Sequence, residues 1–109
     1  MSAGIPYLLH QTVAQPDTVP AKVLRNVQQY AGSFRRRVYS DQDCRRFLQQ
    51  HFPEYVSVFD QLRGAHKADL FRYAVLYVHG GVYMDIKLEL VRPLDAIVDM
   101  TRHAITSAN

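Results

Sequence analysis

The sequence is short of cysteine. One thiol, Cys44, occurs in 109 residues. A single cysteine excludes an internal disulfide framework and a cysteine-only metal site. Long hydrophobic runs are missing too. Nothing approaches the ~20 apolar residues of a membrane span, and no signal-peptide pattern opens the sequence, so no membrane segment is expected in it. Neither common glycine-rich phosphate loop is present. His51, His66 and His103 are scattered without metal-ligand spacing. There is no internal repeat and no low-complexity tract. Excess charge is also small. A net charge of +3 suits a small phosphate-bearing ligand and does not demand nucleic acid. The basic run "RRR" (35 to 37) has no interleaved aromatics, so it reads as a solvated edge and no nucleic-acid partner is expected.

What is present belongs to a globular chain. Apolar residues make up 48% and charged residues 21%. The length allows one small domain. "HAITSAN" (103 to 109) reads as a strand entering a loop, with no closing helix. The expectation is therefore an incomplete, N-terminal portion of a larger fold.

"IPYLLH" (5 to 10) reads as a buried strand, and "QTVAQPDTVP" (11 to 20) as a loop broken by Pro16 and Pro20. Leu24, Val27 and Ala31 set a helix over 21 to 31, which Gly32 ends. "RRRVYS" (35 to 40) fits a second strand. Ser40 with Asp43 predicts a capped helix over about 41 to 51, with Cys44, Phe47, Leu48 and His51 on one face. Cys44 is therefore read as core. Pro53 ends that helix, and a short one follows over 54 to 62. "HKADLFRYAVLYVHGG" (66 to 81) predicts a helix apolar on much of its circumference and so buried. Gly80 and Gly81 then turn the chain into "VYMDIKLEL" (82 to 90), read as an alternating strand. Strands alternating with helices indicate an α/β layered fold with a largely parallel sheet.

Alternation in that last strand sends Val82, Met84, Ile86, Leu88 and Leu90 into the core. Tyr83, Asp85, Lys87 and Glu89 share the other face. By itself this describes an edge strand with a solvated face. Position favours a second reading, because ligands of parallel sheets collect at the carboxyl ends of strands. Asp69 and Arg72, three apart, are neighbours on the preceding helix. They form either a surface ion pair or a donor–acceptor pair for a sugar or phosphate. His10, Gln11 and Thr12 follow the first strand, where a nucleotide often sits, although a lone histidine at a strand end is more often structural.

Three blocks taken in order, "IPYLLHQT", "RRRVYSDQDCRRFLQQHFPEY" and "HKADLFRYAVLYVHGGVYMDIKLELVRPLD", resemble the glycosyltransferase family with a DXD-containing sugar-binding region. That family includes initiating mannosyltransferases and capsular polysaccharide enzymes. The sequence is similar also to the catalytic domain of clostridial glucosylating toxins. The resemblance covers about residues 5 to 95. It implies a Rossmann-like, GT-A type nucleotide-diphospho-sugar transferase fold, a nucleotide-sugar donor, and a glycan, lipid or protein acceptor. By resemblance the donor-binding residues are His10, Gln11, Thr12, Asp69, Arg72, Tyr83 and Asp85, and the catalytic residues are Asp85 and Lys87. The family implies a divalent metal, Mn or Mg, with Asp85 as its ligand here. Two departures matter. Val13 stands where the family usually has an aromatic residue. Lys87 stands where the motif has its second acid, so either its ammonium supplies the metal's charge or the site has lost its metal and its activity. A catalytic donor-binding portion and a non-catalytic remnant of the fold both remain open.

Overall fold

Pro6 sets the start of the first strand. Proline has no N–H to give to a ladder, and a strand at the centre of a sheet needs one. The Pro6 carbonyl instead accepts the Leu8 N–H at 2.8 Å in a three-residue turn, and β1 runs Leu8–Thr12. The computed structural model describes residues 4–14, 19–98 and 106–107. β1 thus begins and ends later than the expected 5 to 10, and Gln11 and Thr12 lie inside the strand rather than in the loop after it. They stay in the strand because β2 pairs with its whole length, Gln11 with Val38 and Thr12 with Tyr39.

The sheet has the order β2-β1-β3-β4, and every pairing is parallel. β2 is Arg35–Tyr39, β3 is Val82–Tyr83, and β4 is Thr106–Ser107. β4 falls inside the expected C-terminal strand, the rest of which lies outside the described residues. Leu9 is level with both Arg36 and Val82, and His10 is level with Tyr83. Side chains alternate across a sheet, so Leu9, Gln11, Arg36 and Val82 share one face and His10, Thr12, Tyr39 and Tyr83 the other.

Each face has its own core. On the first, α1 (Ala21–Tyr30) brings Val27 against Leu9, Phe34, Val82 and Met84, together with Leu94 of the short helix α5 (Leu94–Ile97). On the second, α2 (Asp41–His51), α3 (Val56–Gln61) and α4 (Ala65–His79) bring Cys44, Leu48, Phe59, Phe71, Val75 and Leu76 together with Tyr83. The result is the expected α/β layering around a small parallel sheet.

α2 begins as its sequence predicts. The Asp43 N–H donates to Ser40 Oγ at 3.2 Å, and the Ser40 N–H donates back to Asp43 Oδ2 at 3.0 Å. A 3-10 turn, Pro53–Tyr55, separates α2 from α3, so the expected helix over 54 to 62 is divided. α4 is the longest helix, but it is not buried all round. Phe71, Val75 and Leu76 pack inward, while Tyr73 is 61% and Tyr77 74% exposed. An outer-layer helix needs one apolar face only, and tyrosine covers the rest with its hydroxyl in water.

The largest difference from the sequence reading is at 82 to 90. The strand stops after Tyr83. One more ladder bond forms, Met84 N–H to the His10 carbonyl at 3.0 Å. Then Asp85 Oδ1 accepts the Lys87 N–H at 2.8 Å, and the Asp85 carbonyl accepts the Leu88 N–H at 3.0 Å. An aspartate side chain that captures a backbone donor two residues on competes with the ladder and turns the chain. The segment is caught again at Leu90, whose N–H and carbonyl both bond the Asn26 side chain at 2.9 Å. Tyr83 is consequently buried, and only Asp85, Lys87 and Glu89 are exposed.

Gly81 sets the approach to β3. Its φ is +94°, and a Cβ there would stand 2.6 Å from the Leu8 carbonyl oxygen. Only glycine allows β1 and the turn to come this close.

Candidate functional site

The carboxyl ends of β1 and β3 open onto a cleft of about 300 Å³. Thr12, Asp41, Lys67, Tyr83, Asp85 and Lys87 supply its polar lining. The first turns of α2 and α4 form its far wall. This is where parallel α/β sheets collect ligands, because strands and helices both point their ends at one crevice.

The floor is the pair Thr12 and Tyr83, with Thr12 Oγ1 2.8 Å from the Tyr83 hydroxyl. Burial raises the Tyr83 phenol, against the lowering effect of the Thr12 bond, so it stays protonated. The Arg72 guanidinium lies 5.9 Å from the Tyr83 ring centroid and 3.4 Å from Asp69 Oδ1. Its side chain is only 18% exposed. Asp69, Arg72 and Tyr83 therefore form a chain of contacts from the helix surface to the floor, although Asp69 and Arg72 do not themselves line the cleft. Cys44 lies beneath it, and burial pushes its thiol up to about 12, so it is a packed side chain and not a nucleophile.

His10 and Gln11 are elsewhere. His10 is fully buried. Its Nε2 is 2.9 Å from the Gly80 carbonyl and its Nδ1 is 3.1 Å from the Tyr39 hydroxyl. A carbonyl only accepts, so Nε2 carries the proton and Nδ1 accepts from the tyrosine. Burial pushes the imidazole down to about 4. Gln11 points to the α1 face, where its Oε1 accepts from Arg36 Nε at 2.6 Å. Gln11 Nε2 and Arg36 Nη2 are buried without a partner. The "HQT" triplet thus sends one residue, Thr12, into the cleft.

Outside the structure, the family model described as "Glycosyltransferase sugar-binding region containing DXD motif" matches residues 16–104. The chain belongs to this glycosyltransferase family. An uncharacterized glycosyltransferase of Acanthamoeba polyphaga mimivirus is 32% identical over 90 residues, covering 77% of this chain and 36% of that protein. Inositol phosphoceramide mannosyltransferase 3 of Schizosaccharomyces pombe is 27% identical over 101 residues, covering 89% of this chain and 28% of that protein. Inositol phosphoceramide mannosyltransferase 1 of the same yeast is 27% identical over 71 residues, covering 64% of this chain and 22% of that protein. The chain spans about a third or less of the length of these relatives. No solved structure matches it.

In this chain the candidate for the acidic motif is the turn 85 to 87. Its one acid, Asp85, has an oxygen engaged by the Lys87 N–H. Among the described residues no three His, Cys, Asp or Glu side chains stand close enough to hold a metal ion. Those residues do not fit a divalent metal held by the protein alone. Two cleft residues escaped the sequence reading. Lys67 stands two positions before Asp69 and Asp41 one after Ser40, and in the sequence both read only as parts of helices. Their only signal was position in a helix's first turn, which meant little before those turns were known to face the cleft.

Proposed function

We propose that the chain is the donor-binding portion of a glycosyltransferase with a GT-A type, Rossmann-like fold. In the whole enzyme a hexosyl group leaves a nucleoside-diphosphate sugar for an acceptor hydroxyl. The bond from the anomeric carbon to the diphosphate oxygen breaks, and the diphosphate departs with the electron pair. The acceptor oxygen bonds to the anomeric carbon and loses its proton. The observation that carries this reading is the convergence of Thr12, Tyr83, Asp85 and Lys87 on one cleft at the carboxyl ends of β1 and β3.

Each residue has a role that suits its chemistry. Lys87 is exposed at the rim and, among the described residues, its ammonium is in no ion pair. A fixed cation there stabilises the charge that develops on the leaving diphosphate. The second Asp85 oxygen accepts from sugar or ribose hydroxyls. Thr12 and Tyr83 give the donor a rigid polar floor. Asp69 and Arg72, outside the cleft lining, support the Tyr83 ring from the α4 side. His10 and Gln11 hold β1 in place without touching the donor. Two relatives are named for mannosyl transfer to inositol phosphoceramide, so a mannosyl donor and a lipid-linked acceptor are the first pair to try.

Calorimetric titration of UDP- and GDP-sugars, with and without manganese, tests the reading. Binding of at least one donor is expected. No binding by the chain or by a longer protein containing it would end the proposal.

A further inference from the structure

We propose that Lys67 is the second cation of a two-lysine clamp, with Lys87, that selects a diphosphate over a monophosphate. The inference rests on the donor-site reading above and names a residue which that reading leaves unused.

Lys67 lies in the first turn of α4 and lines the same cleft as Lys87. Its stem is half-buried, and its ammonium sits 5.0 Å from the Phe59 ring centroid. Phe59 is fully buried in the core below. A lysine that lies over a fixed aromatic ring loses less freedom on binding than one free in solvent. The nearby carboxylate that feels its charge, Asp60, is already held by Arg45 through two bonds of 2.9 and 3.1 Å. Among the described residues Lys67 is therefore in no ion pair of its own.

The helix turn that carries Lys67 reinforces its charge. Gly64, Ala65 and Ala68 of the same turn line the cleft. No acidic residue lies in that turn and no side chain caps it. The positive end of the helix dipole adds to the lysine there. Lys87 lines the same cleft from a turn fixed by Asp85. Two cations lining one cleft suit a ligand with two linked anionic groups. A single phosphate satisfies one of them and leaves the other in water. Asp41 and Asp85 also line the cleft, and they disfavour a phosphate placed away from the lysines.

The test compares UDP with UMP, and GDP with GMP, by calorimetry without added metal. Lys67→Met keeps the stem over Phe59 and removes the charge. It is expected to weaken the diphosphate about tenfold and the monophosphate less than about twofold. Lys67→Arg is expected to stay within about threefold of wild type. Lys22→Met, a charge lost outside the cleft, is the control and is expected to change nothing. Thermal melts check that each variant is folded. A Lys67→Met protein that is folded and binds diphosphate like wild type overturns the clamp and leaves the donor site standing. Wild type that binds no nucleotide overturns both.

Discussion

The Thr12 hydroxyl and the Tyr83 hydroxyl meet at 2.8 Å, joining the carboxyl ends of two neighbouring strands at the floor of the cleft. Tyr83→Phe removes this bond and keeps the buried ring. The expected loss is about 1 kcal/mol of stability by urea denaturation. A drop in donor affinity is also expected by calorimetry. Unchanged affinity would show that the donor does not reach the floor.

Asp85 and Glu89 are both exposed acids of the same turn region, yet they line different pockets. Asp85 faces the cleft with Thr12, and Glu89 lies beside Val23 and Leu88 on the α1 side. Asp85→Asn is expected to lower donor binding or turnover about tenfold or more, and Glu89→Gln less than about twofold. The reverse order places the site on the wrong side of the turn.

Lys87 is the cation proposed to face the donor's diphosphate. Lys87→Ala is expected to weaken UDP or GDP binding about tenfold. Lys87→Asp is expected to bind well only with manganese present, since it restores a second acid beside Asp85. Titrations at several manganese concentrations measure this. Equal affinity in wild type and Lys87→Ala makes the lysine a solvated bystander.

Gly81 has no room for a side chain, with the Leu8 carbonyl oxygen 2.6 Å from the position of a Cβ. Gly81→Ala is expected to destabilise the fold by about 2 kcal/mol or more, through both the clash and the positive φ. Chemical denaturation reads it out. A loss below about 0.5 kcal/mol would mean that β1 and the turn separate easily.

His10 makes stability depend on pH. Its folded pKa is about 4, below its ordinary 6.5, because burial disfavours the imidazolium. Between these values the unfolded chain binds more protons than the folded one. Stability is therefore fully present above about pH 6.5 and falls as the pH is lowered towards 4. His79, lowered by burial and then by Arg37 and His51, acts in the same direction. The urea midpoint followed from pH 7 to 4.5 should fall in wild type and fall less steeply in His10→Gln. Parallel curves would assign the slope to other groups.

Much of the fold was legible because local chemistry and global structure agree there. The Ser40–Asp43 capping box, α2, α4 and the parallel α/β layering follow from caps and periodicity. The errors came where one side chain overrides a pattern. Asp85 takes a backbone N–H and ends a strand that alternation carries on to Leu90. Pro6 delays β1. The tyrosines of α4 count as apolar in a helical stripe, yet Tyr73 and Tyr77 face water. Of the candidate site, Thr12, Tyr83, Asp85 and Lys87 line one cleft. His10 and Gln11 share a tripeptide with Thr12, but full burial and opposite faces of β1 keep them from the cleft.

The mutual bonds between Asn26 and Leu90 give the motif an unusual independence. A side chain of α1 imitates a neighbouring strand and receives the chain after it has left the sheet. The 85 to 89 segment is thus a short span anchored at Met84 by His10 and at Leu90 by Asn26. Its exposed side chains bear none of the load of the core. Exchanging an acid for a lysine at position 87 changes the electrostatics of the cleft while leaving both anchors intact. The architecture separates what holds the site in place from what the site can recognise.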